Sequence, residues 1–345
     1  MKIYEITIKP ISGFGTPLKG DTIFGHLCWQ IAQDTSLCRK SLDDILSDYS
    51  AKPFAVISSA FPLLYLDGKY YYALKTPDLP LRKLFSFPDE KKDSIGKRKE
   101  YKSQKWMMFP QDKPFESFKT LTYLNSKELV NKANSALTHE TLKQLRFSDN
   151  MRYSISLSQA HNTINRITGG TGSGRFAPFT IEQSIYYPGT KLALFAGINE
   201  ASITIDQLIE GLNRIGSFGF GKDASTGLGK FVVESNKEMD LAHLGSSSPN
   251  ACYTLAPCVP EKSTYSEIFF TPFTRFGRHG DVLAKSANPF KNPVIMADEG
   301  AVLMPKGKEV WSKPYLGQAV VNVSKSEPKT VTQGYSLYLP VRLEE

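Results

Sequence analysis

The chain has 345 residues, 41% of them hydrophobic and 12% aromatic, enough to bury a substantial core and to build about two domains. Lys and Arg number 42 against 34 Asp and Glu, a net charge of +8, which points to an anionic partner, nucleic acid before membrane. No apolar run approaches the ~20 residues of a membrane span, and the start, MKIYEITIKP, carries no signal-peptide core.

The four cysteines form no C-x-x-C pair and the five histidines no ligand-spaced cluster. The expectation is a cytoplasmic protein with no structural metal, no cofactor, no small-molecule substrate and no membrane contact.

In chain order, an alternating strand over residues 2–9 runs into PISGFGTPLKGD, a loop holding Gly13, Gly15 and Gly20. The helix DTIFGHLCWQIAQ follows, with Asp21 or Thr22 as its expected N-cap. Its buried stripe is Ile23, Phe24, Leu27, Cys28 and Ile31. FAVISSAFPLLYL and KYYYALK, joined at Asp67-Gly68, read as a hairpin.

A polar insertion occupies about 77–150. Its segment 81–106 carries nine Lys/Arg against four Asp/Glu, interleaved with Phe85, Phe87, Tyr101 and Trp106. Such a mixture can stack on and neutralise a single strand, although a solvated charged insert is the simpler reading. Strands resume at MRYSISLSQ and TKLALFAGI. Between them lies HNTINRITGGTGSGRFAPFT, a hairpin at about 160–186 whose glycine-rich tip is flanked by Arg166 and Arg175.

A second helix, TIDQLIEGLNRI, opens with a Thr204–Gln207 capping box. Gly216 is expected to end it. Five of the seventeen residues in IGSFGFGKDASTGLGKF (215–231) are glycine. Gly219 to Ala224 matches G-x-G-x-x-A, but a dinucleotide loop follows a strand and opens a helix, and here helix precedes loop and strand. Residues 216–222 spell G-x-x-x-x-G-K, yet Asp223 stands where a phosphate-binding loop needs Ser or Thr. Both nucleotide readings fail. The polar segment SNKEMDLAHLGSSSPN (235–250) reads as a linker, and residues 249–345 are strand-rich, with Arg275, Arg278, His279 and Lys291 as a basic cluster that suits RNA or a protein partner.

Strand, helix, strand, strand, insertion, helix, strand is the βαββαβ order of a ferredoxin-like domain. In that sheet the last strand lies antiparallel beside the first. The 216–229 loop is therefore expected to meet the Gly13–Gly20 loop and the first helix's N-terminus, forming an anion site from backbone N–H groups, Lys19 and Lys222.

The helix entry LKGDTIFGHLCW, SSAFP on the second strand, NTINRITGGTG, the loop GxGxxxxxGxG at Gly219–Gly229 and RFGRHG…NPFKNPVIMADEGAV together resemble RAMP-superfamily subunits of type III-A CRISPR effectors (the Csm complex), among them the subunit holding the crRNA 5′ handle. The resemblance covers nearly the whole chain. It implies an α+β protein of two ferredoxin-like (RRM-like) lobes. The first, 1–238, would carry the insertion and a protruding thumb hairpin, and the second, 249–345, would be strand-rich and degenerate.

It further implies a non-catalytic scaffold in antiviral defence. Such a subunit binds crRNA and docks the large palm-domain subunit and a neighbouring backbone subunit. The residues implied to face RNA are Lys19, Gly20, Thr22 and His26 at the first helix; Gly219, Gly221, Lys222, Ser225, Gly227 and Gly229 in the glycine loop; and Asn162, Asn165, Arg166, Gly169 and Gly170 on the thumb. Arg175, Arg275, Arg278 and Lys291 are added on charge. His26 lies off the buried stripe and leaves open proton transfer in a metal-independent repeat-RNA endoribonuclease, contact with RNA, or plain packing.

Overall fold

The computed structural model of the protein describes residues 1–88, 91–135 and 152–344. Residues 89–90 and 136–150 of the expected insertion, Met151 at the head of the following strand, and the Arg175 side chain lie outside the described residues. The fold is α+β, built from antiparallel sheets with six α-helices among the described residues.

The larger sheet contains β1 (Lys2–Pro10), β2 (Ala55–Leu66), β3 (Lys69–Lys75), β4 (Trp106–Pro110), β5 (Thr122–Leu124), β8 (Lys191–Ile198) and β9 (Phe231–Met239), in the order β5-β4-β3-β2-β8-β1-β9. β6 (Ser154–His161) and β7 (Phe179–Tyr186) form a separate two-stranded hairpin. The helices are α1 (Gly20–Gln33), α2 (Leu42–Ser47), α3 (Leu81–Leu84), α4 (Lys91–Ser103), α5 (Ser126–Ser135) and α6 (Ile205–Phe218).

Asp67 and Gly68 turn the β2–β3 hairpin with φ of 49° and 82°, the left-handed pair that a tight antiparallel turn demands. β1 lies between β9 and β8, and β8 in turn separates it from the β2–β3 hairpin. β8 is buried on both faces from Leu192 onward, the property of a central strand, whereas β3 begins with exposed Lys69 and Tyr70 and lies outside β2. The polar insertion also contributes to the sheet: WMMFP pairs with β3 as β4, and β5 follows it.

Ile23, Phe24, Leu27 and Ile31 of α1 are buried as their spacing predicts, while Cys28 is only half-buried. Lys19, not Asp21 or Thr22, occupies the N-cap and makes no side-chain cap. The Asp21 carboxylate is instead taken by Arg275. On α6 the Thr204–Gln207 capping box forms. Gly216 does not end this helix; it lies inside it, where a Cβ would sit 2.1 Å from the Phe231 carbonyl oxygen, so glycine there lets helix and strand touch. The end falls at Gly219, φ +108°.

A 3-10 turn at Leu241–Leu244 leads to the second sheet. There β10 (Ala251–Thr254), β11 (Tyr265–Phe269), β14 (Val302–Pro305), β15 (Tyr315–Gly317) and β16 (Tyr335–Val341) run in the order β11-β14-β10-β16-β15. β12 (Pro272–Arg275) and β13 (Val294–Ala297) form a small hairpin. Residues 249–344 contain strands and 3-10 turns and no α-helix, which leaves the expected second ferredoxin-like lobe without the helices such a lobe packs on its sheet.

One apolar cluster runs through both sheets, joining Ile6, Phe24, Phe54 and Phe195 to Tyr253, Leu337 and Leu339. The join is also polar. Where β2 bulges between Ile57 and Ala60, the buried Gln333 amide accepts from Ile57 N–H (2.9 Å) and donates to Ile57 C=O (2.7 Å), standing in for a missing strand.

Candidate nucleic-acid interface

The antiparallel β1–β9 pairing brings the end of β1 and the start of β9 together, and with them the two glycine-bearing loops. Gly229 N–H donates to Gly13 C=O (2.7 Å), Lys230 N–H to Ser12 Oγ (2.9 Å) and Lys222 N–H to Thr16 Oγ1 (2.9 Å). Gly221 N–H donates to His26 Nε2 at 3.1 Å, tying the rim to α1. At Gly221 φ is +77°, and a Cβ would lie 2.5 Å from Thr16 Cβ, so both conformation and space demand glycine.

Phe220 is fully buried between Phe14 (centroids 6.5 Å apart) and the His26 ring (4.7 Å). This plug holds the loop down and turns its outer arc to solvent. Lys222, Ser225, Thr226 and Lys230 are exposed there, with Phe218 69% exposed beside them. Most amides of the rim bond within the protein, contrary to the expectation of a row of free N–H groups. Within the 219–229 loop the exceptions are Asp223, Ala224 and Ser225, whose N–H groups have no partner among the described residues, at a left-handed turn (Asp223 φ +61°) of the sort that cups anions.

His26 is held neutral. Burial pushes its pKa down to about 4, and the Lys291 ammonium acts in the same direction. A backbone N–H can only donate, so Nε2 accepts and the ring proton sits on Nδ1. Among the described residues His26 makes no hydrogen bond to an acid or base.

The α1 N-terminus is not the open anion site its glycine neighbours suggested. A Cβ on Gly20 would be 2.1 Å from Ile57 C=O and 3.0 Å from Ala256, and Gly20 and Asp21 are buried. The Lys19 ammonium is bound by the Asp298 carboxylate and by Glu299 at 2.7 Å, over the Phe273 ring. Arg275 grips Asp21 through two bonds of 2.5 and 2.8 Å. Thr22 Oγ1 is buried without a hydrogen bond among the described residues. Lys19, Gly20 and Arg275 therefore belong to the joint between the two sheets.

Lys291 lays its stem along Gly277 and reaches a cavity of about 340 Å³ beside Cys28 and Trp29. Arg278 is exposed over Phe290. Neither reaches the rim's hydrogen-bond network.

The β6–β7 hairpin stands out from the molecule, with nearly all of β6 and half of β7 exposed. Its base is pinned to the rim: Phe14 N–H donates to Ser184 C=O (2.9 Å) and Ser184 N–H to Phe14 C=O (2.8 Å). From Ser184 to Phe179 is about 17 Å of strand, which sets the tip's reach. At the tip Asn165 closes a turn. Its N–H donates to Gly170 C=O (3.0 Å), its C=O accepts from Gly169 N–H (2.8 Å) and its side chain accepts from Ile167 N–H (2.9 Å). Asn162, Arg166, Gly169 and Gly170 are exposed, and Ile167 is 95% exposed.

The structure thus gathers His26, Gly219, Gly221, Lys222, Ser225, Gly227 and Gly229 at one rim, with the thumb rooted beside it. Sequence reasoning missed Ser12, Thr16 and Lys230, and the Phe14–Ser184 bridge. Hydroxyl residues set between glycines in SGFGT were the available signal.

No family model and no curated protein matches the chain. Solved structures do. Over 100% of both chains it is similar to a chain of the crystal structure of a Csm1-Csm4 cassette in complex with pppApA, with a TM-score of 0.55 and 15% identity. It is likewise similar to a chain of the cassette with AMPPNP (0.52, 15% identity, 100% of both chains). A third is a chain of the Csm3-Csm4 subcomplex in the type III-A CRISPR-Cas interference complex (0.52, 12% identity, 99% of this chain and 100% of that one). At these identities the likeness is one of fold, and it runs from end to end.

Proposed function

We propose that the protein is an RNA-binding subunit of a type III-A CRISPR interference complex that holds the 5′ handle of the crRNA at the β1–β9 rim. The observation that carries this reading is the convergence of the two glycine-bearing loops beside the root of a protruding hairpin. Supporting it is the strand order β9-β1-β8-β2 with α1 and α6 packed together, the order of a ferredoxin-like domain, along with a full-length likeness to chains of assemblies named for Csm1, Csm3 and Csm4.

On this reading Lys222 and Lys230 neutralise handle phosphates, the three unbonded amides at 223–225 cup one of them, and the thumb fixes the strand's register with Arg166 and the Asn165 turn. Such contacts position RNA without reading its bases. A large palm-domain subunit and a backbone subunit are the proposed neighbours. The subunit acts as a scaffold. The endoribonuclease alternative finds no support in a histidine whose Nε2 is occupied by a backbone amide.

The test is to co-express the chain with the remaining subunits of its complex and a repeat array, purify through this chain, and sequence the bound RNA. A uniform repeat-derived 5′ end is expected. RNA without a common 5′ end would end the proposal.

A further inference from the structure

The sheet edge remote from the rim carries a second cationic surface. Arg98, Lys99 and Lys102 of α4 lie at i, i+1 and i+4, on one helix face together with Ile95, which is 64% exposed. All three cations are exposed, and none has an ion pair among the described residues; the helix's one acidic partner in that stretch, Glu100, is engaged by Lys97 at 2.8 Å on another face.

Among the described residues Tyr101 ties the helix to the body. Tyr101 stacks on Phe85 (centroids 4.2 Å, planes 5° apart), meets Phe87 at 5.2 Å and donates its hydroxyl to Ser86 C=O (3.0 Å). Phe85 and Tyr101 are stacked face to face, and Phe87 meets Tyr101 edge-on. What faces outward is charge, and like charges one helical turn apart repel. A thirteen-residue helix is marginal in water on its own, and a polyanion along this face would relieve its repulsion.

We propose that the outer face of α4 is a second nucleic-acid site, which grips a single strand through its phosphates. β4, which follows α4 directly, is five strand positions from β9, so the site lies about 24 Å across the sheet from the glycine rim. A strand held there is a different segment from one held at the rim, and the inference does not depend on the rim binding RNA. An acidic protein is the poorer occupant, because a protein interface needs an apolar centre and Ile95 is the single exposed large apolar side chain on α4.

The test measures binding of the full-length protein to fluorescein-labelled oligouridylate of about 30 nucleotides across a potassium chloride series. In the triple variant Arg98→Gln, Lys99→Gln, Lys102→Gln the slope of log affinity against log salt should become shallower by about 2, from three lost phosphate contacts at about 0.7 each. A short probe of about 8 nucleotides can occupy either site but not span both, so Lys222→Glu should remove its binding at the rim and the triple variant its binding at α4, each without the other, which separates failure of the rim reading from failure of this one.

Should the triple variant fold poorly, Lys102→Gln alone should flatten the slope by about 0.7. An unchanged slope on the long probe overturns the proposal. So does polyglutamate that displaces the long probe from wild type as well as unlabelled RNA does, since the face would then belong to an acidic protein.

Discussion

The amide of Gly221 donates to Nε2 of His26 across 3.1 Å, so the glycine loop is fastened to α1 by a ring that must stay neutral for the bond to exist. Burial keeps it so, with a pKa of about 4 against an ordinary 6.5.

The sign of the resulting pH dependence follows from which state holds the proton. Between pH 6.5 and 4 the unfolded chain protonates this histidine and the folded chain resists, so stability falls as pH is lowered through that window and His26 contributes no further change below it. The loss attributable to His26 is about 3 kcal/mol at most. Urea denaturation at intervals from pH 7.5 to 4 should show this decline, and His26→Gln should remove its share of the slope while lowering stability at pH 7. A His26→Gln protein with the wild-type pH profile would show that the ring does not resist protonation.

Gly221→Val combines a positive φ with a Cβ placed 2.5 Å from Thr16 Cβ. Strain and overpacking together should cost about 2–4 kcal/mol and push the 219–222 segment off Thr16 and His26. RNA retention in purified complexes should drop more than the melting temperature alone explains. Gly227→Ala is the matched control, because no atom lies within 4 Å of its added Cβ. It pays only for its own φ of +98°.

How much of this could be read from the chain depended on whether the deciding contacts were local. The α6 capping box, the Asp67–Gly68 turn and the meeting of the two loops follow from neighbouring residues plus one pairing rule, and all were legible. The place of β8 beside β1 was not, because β3 follows β2 at once and chain order favours the nearer strand. Gly216 read as a helix stop because its actual reason, the Phe231 carbonyl against it, is fifteen residues away. Lys19 and Arg275 read as RNA-facing for the same cause: their carboxylate partners Asp298 and Asp21 sit 279 and 254 positions off. A lone sequence lists cations without saying which are already paired.

That distinction separates two lysines. Lys222 is 63% exposed, with Asp223 no nearer than 3.7 Å, so Lys222→Glu should leave the melting temperature within about a degree and weaken RNA binding at low salt, with the salt slope shallower by about 1. Lys19 is 14% exposed, and its removal strands Glu299, whose carboxyl burial already pushes up; Lys75, at 3.2 Å, continues to serve Asp298. Lys19→Ala should therefore cost about 3 kcal/mol and loosen the joint between the sheets. Thermal melts and anisotropy titrations on both variants check this, and equal loss of RNA affinity at unchanged stability in Lys19→Ala would return that lysine to the interface.

The thumb should separate from the fold in the opposite way. Among the described residues β6 and β7 form strand pairs only with each other, and Phe14–Ser184 is the bridge that joins them to the rim. Replacing 162–178 with a tight Asn-Gly turn removes Arg166, Ile167 and the Asn165 turn without touching the core cluster that spans the sheets or the smaller one beneath β2–β5. The melting temperature should hold within about two degrees. If the tip fixes the register of a bound strand, nuclease footprints on the reconstituted complex should widen or shift by a nucleotide or more while total RNA stays associated through the rim. An unchanged footprint would reduce the thumb to a passive hairpin, and a collapse of stability would mean that its tip packs where the exposed Asn162–Gly170 surface shows none.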